Sequence, residues 1–186
     1  ALHAHGDILL AIADGLADAA LRDALLPLPR RKKTATALRT LVRDDPIGGR
    51  ALACALRRKD RRRTLLALLT APPQHAAAVW QALEDSERHC VASSLPNGGL
   101  TDAALARSDP LAALALQALQ SSDPDLRDAG GAALASRKDM IRSRWCDLTP
   151  NARHVLGSHP SLAIAVADLG RSSPSATNVR RRRIHR

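Results

Sequence analysis

Apolar residues recur every three or four positions along most of this chain. Leu9, Ile12, Leu16 and Ala20 keep that spacing, and so do Leu111, Leu114 and Ala118. Positions spaced this way fall on one face of a helix, so the pattern predicts amphipathic helices. Proline divides it. Asp45-Pro46, Asp109-Pro110, Asp123-Pro124 and Thr149-Pro150 each set a capping side chain directly before a proline, and Pro72-Pro73 and His159-Pro160 are weaker versions. Proline at the first helical position gives up an N–H that would have no partner anyway, while Asp or Thr before it accepts from the N–H groups that follow. Pattern and punctuation together predict helices over 7–26, 35–44, 47–58, 60–70, 73–84, 86–94, 102–107, 110–120, 124–137, 139–147, 150–157 and 160–169. Helices of roughly 10–14 residues are marginal alone in water, so each must bury an apolar face against its neighbours. The expected fold is all-α, with short antiparallel helix pairs stacked as an irregular α-solenoid.

One segment carries a recognisable pattern. Asp123-Pro124-Asp125-Leu126-Arg127-Asp128-Ala129, followed by Ala133-Leu134, resembles the second helix of a HEAT-type repeat. That helix has an acidic turn, a Val/Leu-Arg pair, then Ala and Ala-Leu at helical spacing. Asp109-Pro110-Leu111 with Ala118-Leu119 is similar but lacks the Arg. Pro73-Gln74 with Trp80 and Leu83 looks like the helix opening of octotricopeptide repeats, which are organellar RNA-binding modules, with the Trp displaced by one. The HEAT-like match spans about a dozen residues, and no single repeat period runs through the chain. The resemblance implies a HEAT-like helical-repeat architecture and, by itself, no activity.

Composition reinforces the helical reading. There is no Phe and no Tyr, and Trp80 and Trp145 are the only aromatics, so the core must be built from Ala, Leu, Val and Ile. A β-sandwich or barrel would draw on aromatic and β-branched residues that are scarce here. A 186-residue body can bury a sizeable core without disulfides. Cys54, Cys90 and Cys146 are odd in number, far apart and form no CxxC, which fits a reducing intracellular compartment. No apolar run reaches the length of a membrane span; the nearest, Ile8 to Leu26, is cut by Asp14, Asp18, Arg22 and Asp23. The chain opens at Ala1 with no recognisable signal peptide. A removed presequence would account for that start, as would a fragment or N-terminal trimming.

Charge changes the picture most. The formal net charge is +10, yet the basic residues are concentrated in three runs. These are Arg30, Arg31, Lys32, Lys33; then Arg57, Arg58, Lys59, Asp60, Arg61, Arg62, Arg63; then Arg180, Arg181, Arg182, Arg183 with Arg186. They hold 15 of the 28 Lys and Arg residues, and the rest of the chain is net acidic. Two segments are expected: a helical-repeat body over 1–169, and a Ser/Pro linker with an Arg-rich tail over 170–186, whose composition cannot offset its own ordering entropy. Leu26 to Lys33 reads as a loop between helices. Only four residues are Lys; a GC-rich coding sequence gives that bias, and so does a need for guanidinium groups that fork onto phosphate.

Three clusters on a net-acidic body point to a polyanionic partner. The chain has no C2H2 zinc spacing, no RNP1 motif and almost no aromatic platform for bases. Phosphate-dominated contact to structured RNA is therefore expected, through all 15 basic residues of the runs. The expected role is a non-enzymatic structural component of a ribonucleoprotein particle, with a divergent mitochondrial ribosome, and hence the mitochondrial matrix, as the leading instance. Its partners would be RNA, foremost rRNA, and neighbouring proteins of a large assembly. No membrane, small-molecule substrate, cofactor, metal or catalytic residue is expected. The main alternative is a protein–protein adaptor with a helical-repeat groove. A further one is a helical-repeat enzyme acting on DNA bases, with Trp80 or Trp145 stacking on a flipped base near Glu84 or Asp147; core packing is the commoner fate of such Trp residues. His89-Cys90 diverge on a helix and make a poor metal pair, and Gly48-Gly49-Arg50 lacks the ending of a P-loop. Gly130-Gly131 inside a helix reads as a site of close helix packing.

Overall fold

A computed structural model describes residues 28–29, 31–95, 102–160, 162–163 and 167. The predicted helix over 7–26, Arg30, most of the predicted helix over 160–169 and the segment 170–186 lie outside the described residues. Among the described residues the fold is all-α. The helices are α1 (Lys32–Asp44), α2 (Pro46–Arg58), α3 (Arg61–Thr70), α4 (Pro73–Ala82), α5 (Asp85–Ala92), α6 (Ala103–Ser108), α7 (Pro110–Ala118), α8 (Pro124–Ala135), α9 (Lys138–Arg144) and α10 (Pro150–Ser158), with a 3-10 turn at Trp145–Asp147. None is long and apolar enough to cross a membrane.

The helix starts follow from the punctuation. Asp45 accepts a hydrogen bond from the Gly48 N–H, Asp109 from Leu111 and Ala112, Asp123 from Asp125, and Thr149 from Ala152. Each satisfies an N–H that the first helical turn leaves without an intrahelical partner. The first helix differs from expectation. Arg31 is its extended N-cap and α1 begins at Lys32, so Lys32 and Lys33 belong to a helical turn rather than to a loop. The Thr34 hydroxyl anchors that turn by donating to the Ala82 carbonyl at 2.9 Å.

α7 is the centre of the core. Every residue from Leu111 to Ala118 is buried, and the helix touches α3, α4, α6, α8 and α10. Being apolar almost all round, it suits a position with neighbours on every side. Its longest contact is with α8, where Leu126, Ala129, Ala133 and Leu134 are buried as the spacing requires. Close approach explains the two glycines of α8. A Cβ on Gly130 would stand 2.7 Å from the Ala115 carbonyl oxygen, and one on Gly131 would stand 2.8 Å from the His159 ring.

Two charged groups sit inside this apolar body. Asp102 is the N-cap of α6 and is buried, and its carboxylate also accepts from the N–H and hydroxyl of Thr149, both at 3.0 Å, tying the starts of α6 and α10 together. Arg137 is buried just beyond the end of α8; it donates to Asp109 at 2.7 Å and to the Ala133 carbonyl at 2.9 Å.

Candidate nucleic-acid interface

The second basic run folds as a corner between α2 and α3. Arg57 and Arg58 close α2, where the exposed carbonyls of a helix end favour cations. Lys59 then turns into the left-handed region, with φ 55° and ψ 32°, the one non-glycine residue with positive φ among those described. Its N–H donates to the Leu56 carbonyl at 3.1 Å and the Asp60 N–H to the Ala55 carbonyl at 3.0 Å, the bond pair of a Schellman turn. Glycine is the usual occupant because it has no Cβ to crowd the next carbonyl. Here the position carries an ammonium instead.

Asp60 next caps α3 by accepting from the Arg63 N–H, and Arg61, Arg62 and Arg63 form the first turn. A helix N-terminus disfavours positive charge, and acids answer two of the three. Asp60 lies 3.5 Å from the Arg63 guanidinium. Arg62 crosses to the start of α8, donating to both oxygens of Asp123 at 2.5 and 3.0 Å and to Asp125 at 2.7 Å. The hydrogen bonds from Arg62 to Asp123, ahead of that to Asp125, raise the Arg62 pKa still further. The same bond to Arg62 holds the Asp123 carboxyl below the usual carboxylate range. Arg62, which the sequence groups with the phosphate-facing residues, is thus held at the surface in an ion pair within the chain.

The remaining members of the run divide differently. Arg58 is half-buried with a contact of its own. Arg57, Lys59 and Arg61 are exposed, and no carboxylate among the described residues bridges any of them. Arg61 makes only a long contact, 3.5 Å, to the Ser93 hydroxyl.

The first run lies close by. Arg31 pairs with Glu84, the residue before α5, and Lys32 and Lys33 are exposed on the first turn of α1. Leu56, Lys59 and Arg61 in turn share a hollow with Ser86 and Glu87 of α5. Both described basic runs therefore border the first turn of α5. The third run, Arg180 to Arg183 and Arg186, lies outside the described residues, as does Arg30.

Two further features carry no run and so give no signal in the sequence. Arg107, Ser108 and Arg144 line a polar hollow of about 450 Å³, with Asp147 3.5 Å from Arg144. An open cleft of about 800 Å³ runs between α2, α3 and α8, floored by Ala51, Cys54, Ala67, Ala129 and Ala132. Trp80 and Trp145 are both buried in the core, where a base reaches neither indole without repacking. No disulfide joins Cys54, Cys90 or Cys146, and among the described residues no three His, Cys, Asp or Glu side chains cluster as a metal site would require. No protein-family model, curated protein or solved structure matches this chain.

Proposed function

We propose that this protein is a non-enzymatic RNA-binding structural component of a ribonucleoprotein particle. It docks chiefly through Arg57, Lys59 and Arg61 at the α2–α3 corner, with Lys32 and Lys33 across the start of α5 and Arg180 to Arg183 and Arg186 as a further contact. The observation that carries the reading is the sorting of charge at the corner. Arg62 and Arg63 are matched with acids, whereas three neighbouring cations are displayed to solvent without one among the described residues. A surface that keeps several cations unpaired at a sharp turn suits a phosphate backbone, whose counterions are released on contact. The scarcity of aromatic residues favours phosphate contact over stacking platforms.

The body carries these contacts on an irregular HEAT-like stack of short antiparallel helix pairs, and a mitochondrial ribosome is the particle to examine first. The test is sedimentation of a native-source extract at low salt. The chain should travel with a large RNA-containing particle and be released by ribonuclease or by raised salt. A partner retained after both RNA and DNA are digested would overturn the proposal. That result would favour the adaptor reading, for which the alanine-floored cleft between α2, α3 and α8 is the supporting feature.

A further inference from the structure

The hollow beside the basic corner differs from the other two in what lines it. It measures about 300 Å³, the low end of the size range of small-ligand pockets. Leu56 and Val91 supply apolar wall, and Lys59 and Arg61 line it as well. Thr64 is 2% exposed and lines the hollow, yet its hydroxyl bonds to no other described residue. Glu87 lines it from α5, with one carboxylate oxygen accepting the Glu84 N–H at 2.8 Å.

We propose that this hollow receives one unpaired base of a single-stranded RNA segment while Lys59 and Arg61 hold its flanking phosphates. The inference rests on the RNA-binding reading and names the form of RNA it requires. Each candidate occupant is decided by the lining. A phosphate inside the hollow would face the Glu87 carboxylate and be repelled. An aliphatic group would cover the Thr64 hydroxyl and leave it without water or a partner, which is costly. A base satisfies both. Its faces rest on Leu56 and Val91, and its polar edge reaches the Thr64 hydroxyl and the Glu87 carboxylate. A base in a duplex keeps that edge engaged in pairing, so the occupant must be unpaired.

Glu87 also sets a preference. A carboxylate only accepts hydrogen bonds, so it favours bases that present an amino group, such as the N4 amine of cytosine. Uracil presents a carbonyl oxygen where cytosine presents that amine and is disfavoured. Lys59 contributes through its unusual backbone, because the left-handed turn lets one residue both end α2 and stand at the edge of the hollow.

The test is fluorescence anisotropy with the full chain and three labelled RNAs of equal length: oligocytidine, oligouridine and a duplex. Oligocytidine should bind roughly tenfold more tightly than oligouridine, and the duplex more weakly than either single strand. Glu87→Gln keeps a residue able to complete the capping box and should abolish most of the cytosine preference. Cys90 also lines the hollow, and Cys90→Trp, which fills it, should lower single-strand affinity to the duplex level while leaving its salt dependence unchanged. If the Trp variant fails to fold by circular dichroism, Glu87→Gln alone carries the test. Equal affinity of the native chain for all three RNAs would overturn this inference and leave the proposed function standing. No binding to any of them at low salt would overturn both.

Discussion

Asp102 accepts four hydrogen bonds in a place that water hardly reaches: two from the first turn of α6 and two from Thr149. Burial opposes its ionisation, but the donors from Leu105, Thr149 and Ala104 outweigh that and hold its carboxyl below the usual carboxylate range. An unfolded Asp titrates near about 3.9. With the folded value lower, the stabilisation is complete above that pH and is lost as pH falls through the folded value. Asp102→Asn should therefore cost roughly 1–3 kcal/mol near neutrality and flatten the acid limb of stability below about pH 4, read by urea denaturation across pH. An unchanged acid limb would show that Asp102 does not link α6 to α10. Lys59 gives a second prediction of opposite character. Lys59→Gly removes a Cβ from a left-handed residue and should leave stability equal or raise it by up to about 1 kcal/mol, while weakening RNA binding. Loss of stability together with affinity would assign Lys59 a purely structural role. Neither residue stands out in the sequence for these reasons. Thr149 lies 47 positions from Asp102, and the left-handed turn at Lys59 has no glycine to announce it.

At the scale of elements much is legible in the sequence. Asp-Pro and Thr-Pro pairs mark helix starts because cap and proline act locally, and α2, α7, α8 and α10 begin at or within a residue of the predicted positions. The misplaced boundary, at Lys32, lacks a capping side chain, and α1 is anchored there by the distant Ala82 carbonyl instead. The last predicted turn over 139–147 is a 3-10 turn, where Trp145 enters the core. The glycines of α8 are legible as packing sites, and the structure separates them. At Gly130 the obstacle is the Ala115 backbone oxygen, which cannot move away alone. Overpacking of about 1–3 kcal/mol then outweighs the roughly 1 kcal/mol of helix propensity that Ala brings, so Gly130→Ala should destabilise. At Gly131 the obstacle is the His159 side chain, which can swing. Gly131→Ala should be neutral or mildly stabilising. Thermal melts of the two variants check the contrast, and an equal drop in both would show that His159 is as immovable as the α7 backbone.

Across the whole molecule, the cations of one run serve different ends. Sequence alone treats all six cations of Arg57 to Arg63 as equivalent, because an ion pair such as Arg62 with Asp123 joins residues 61 positions apart. Three-dimensional packing divides them. Two are paired with acids, Arg62 with Asp123 and Asp125 of α8 and Arg63 with the α3 cap Asp60. Arg58 is half-buried, and no described carboxylate bridges Arg57, Lys59 or Arg61. The first run meets that corner at the start of α5, through the Arg31–Glu84 pair and the hollow shared by Lys59 and Glu87. The proposed interface requires that Arg57, Lys59 and Arg61 touch phosphate and that Arg62 does not. This division is read most directly from the slope of log affinity against log salt for a single-stranded RNA. The chains to compare are the native one, Arg62→Gln, and the triple variant R57Q/K59Q/R61Q. Removing one phosphate-neutralising cation from a single-strand complex makes the slope shallower by about 0.7, so the triple variant should be shallower by about 2. Arg62→Gln should lower folding stability and leave the slope as it was. A triple variant with the native slope, or an Arg62→Gln variant that takes on the triple variant's slope, would contradict the division.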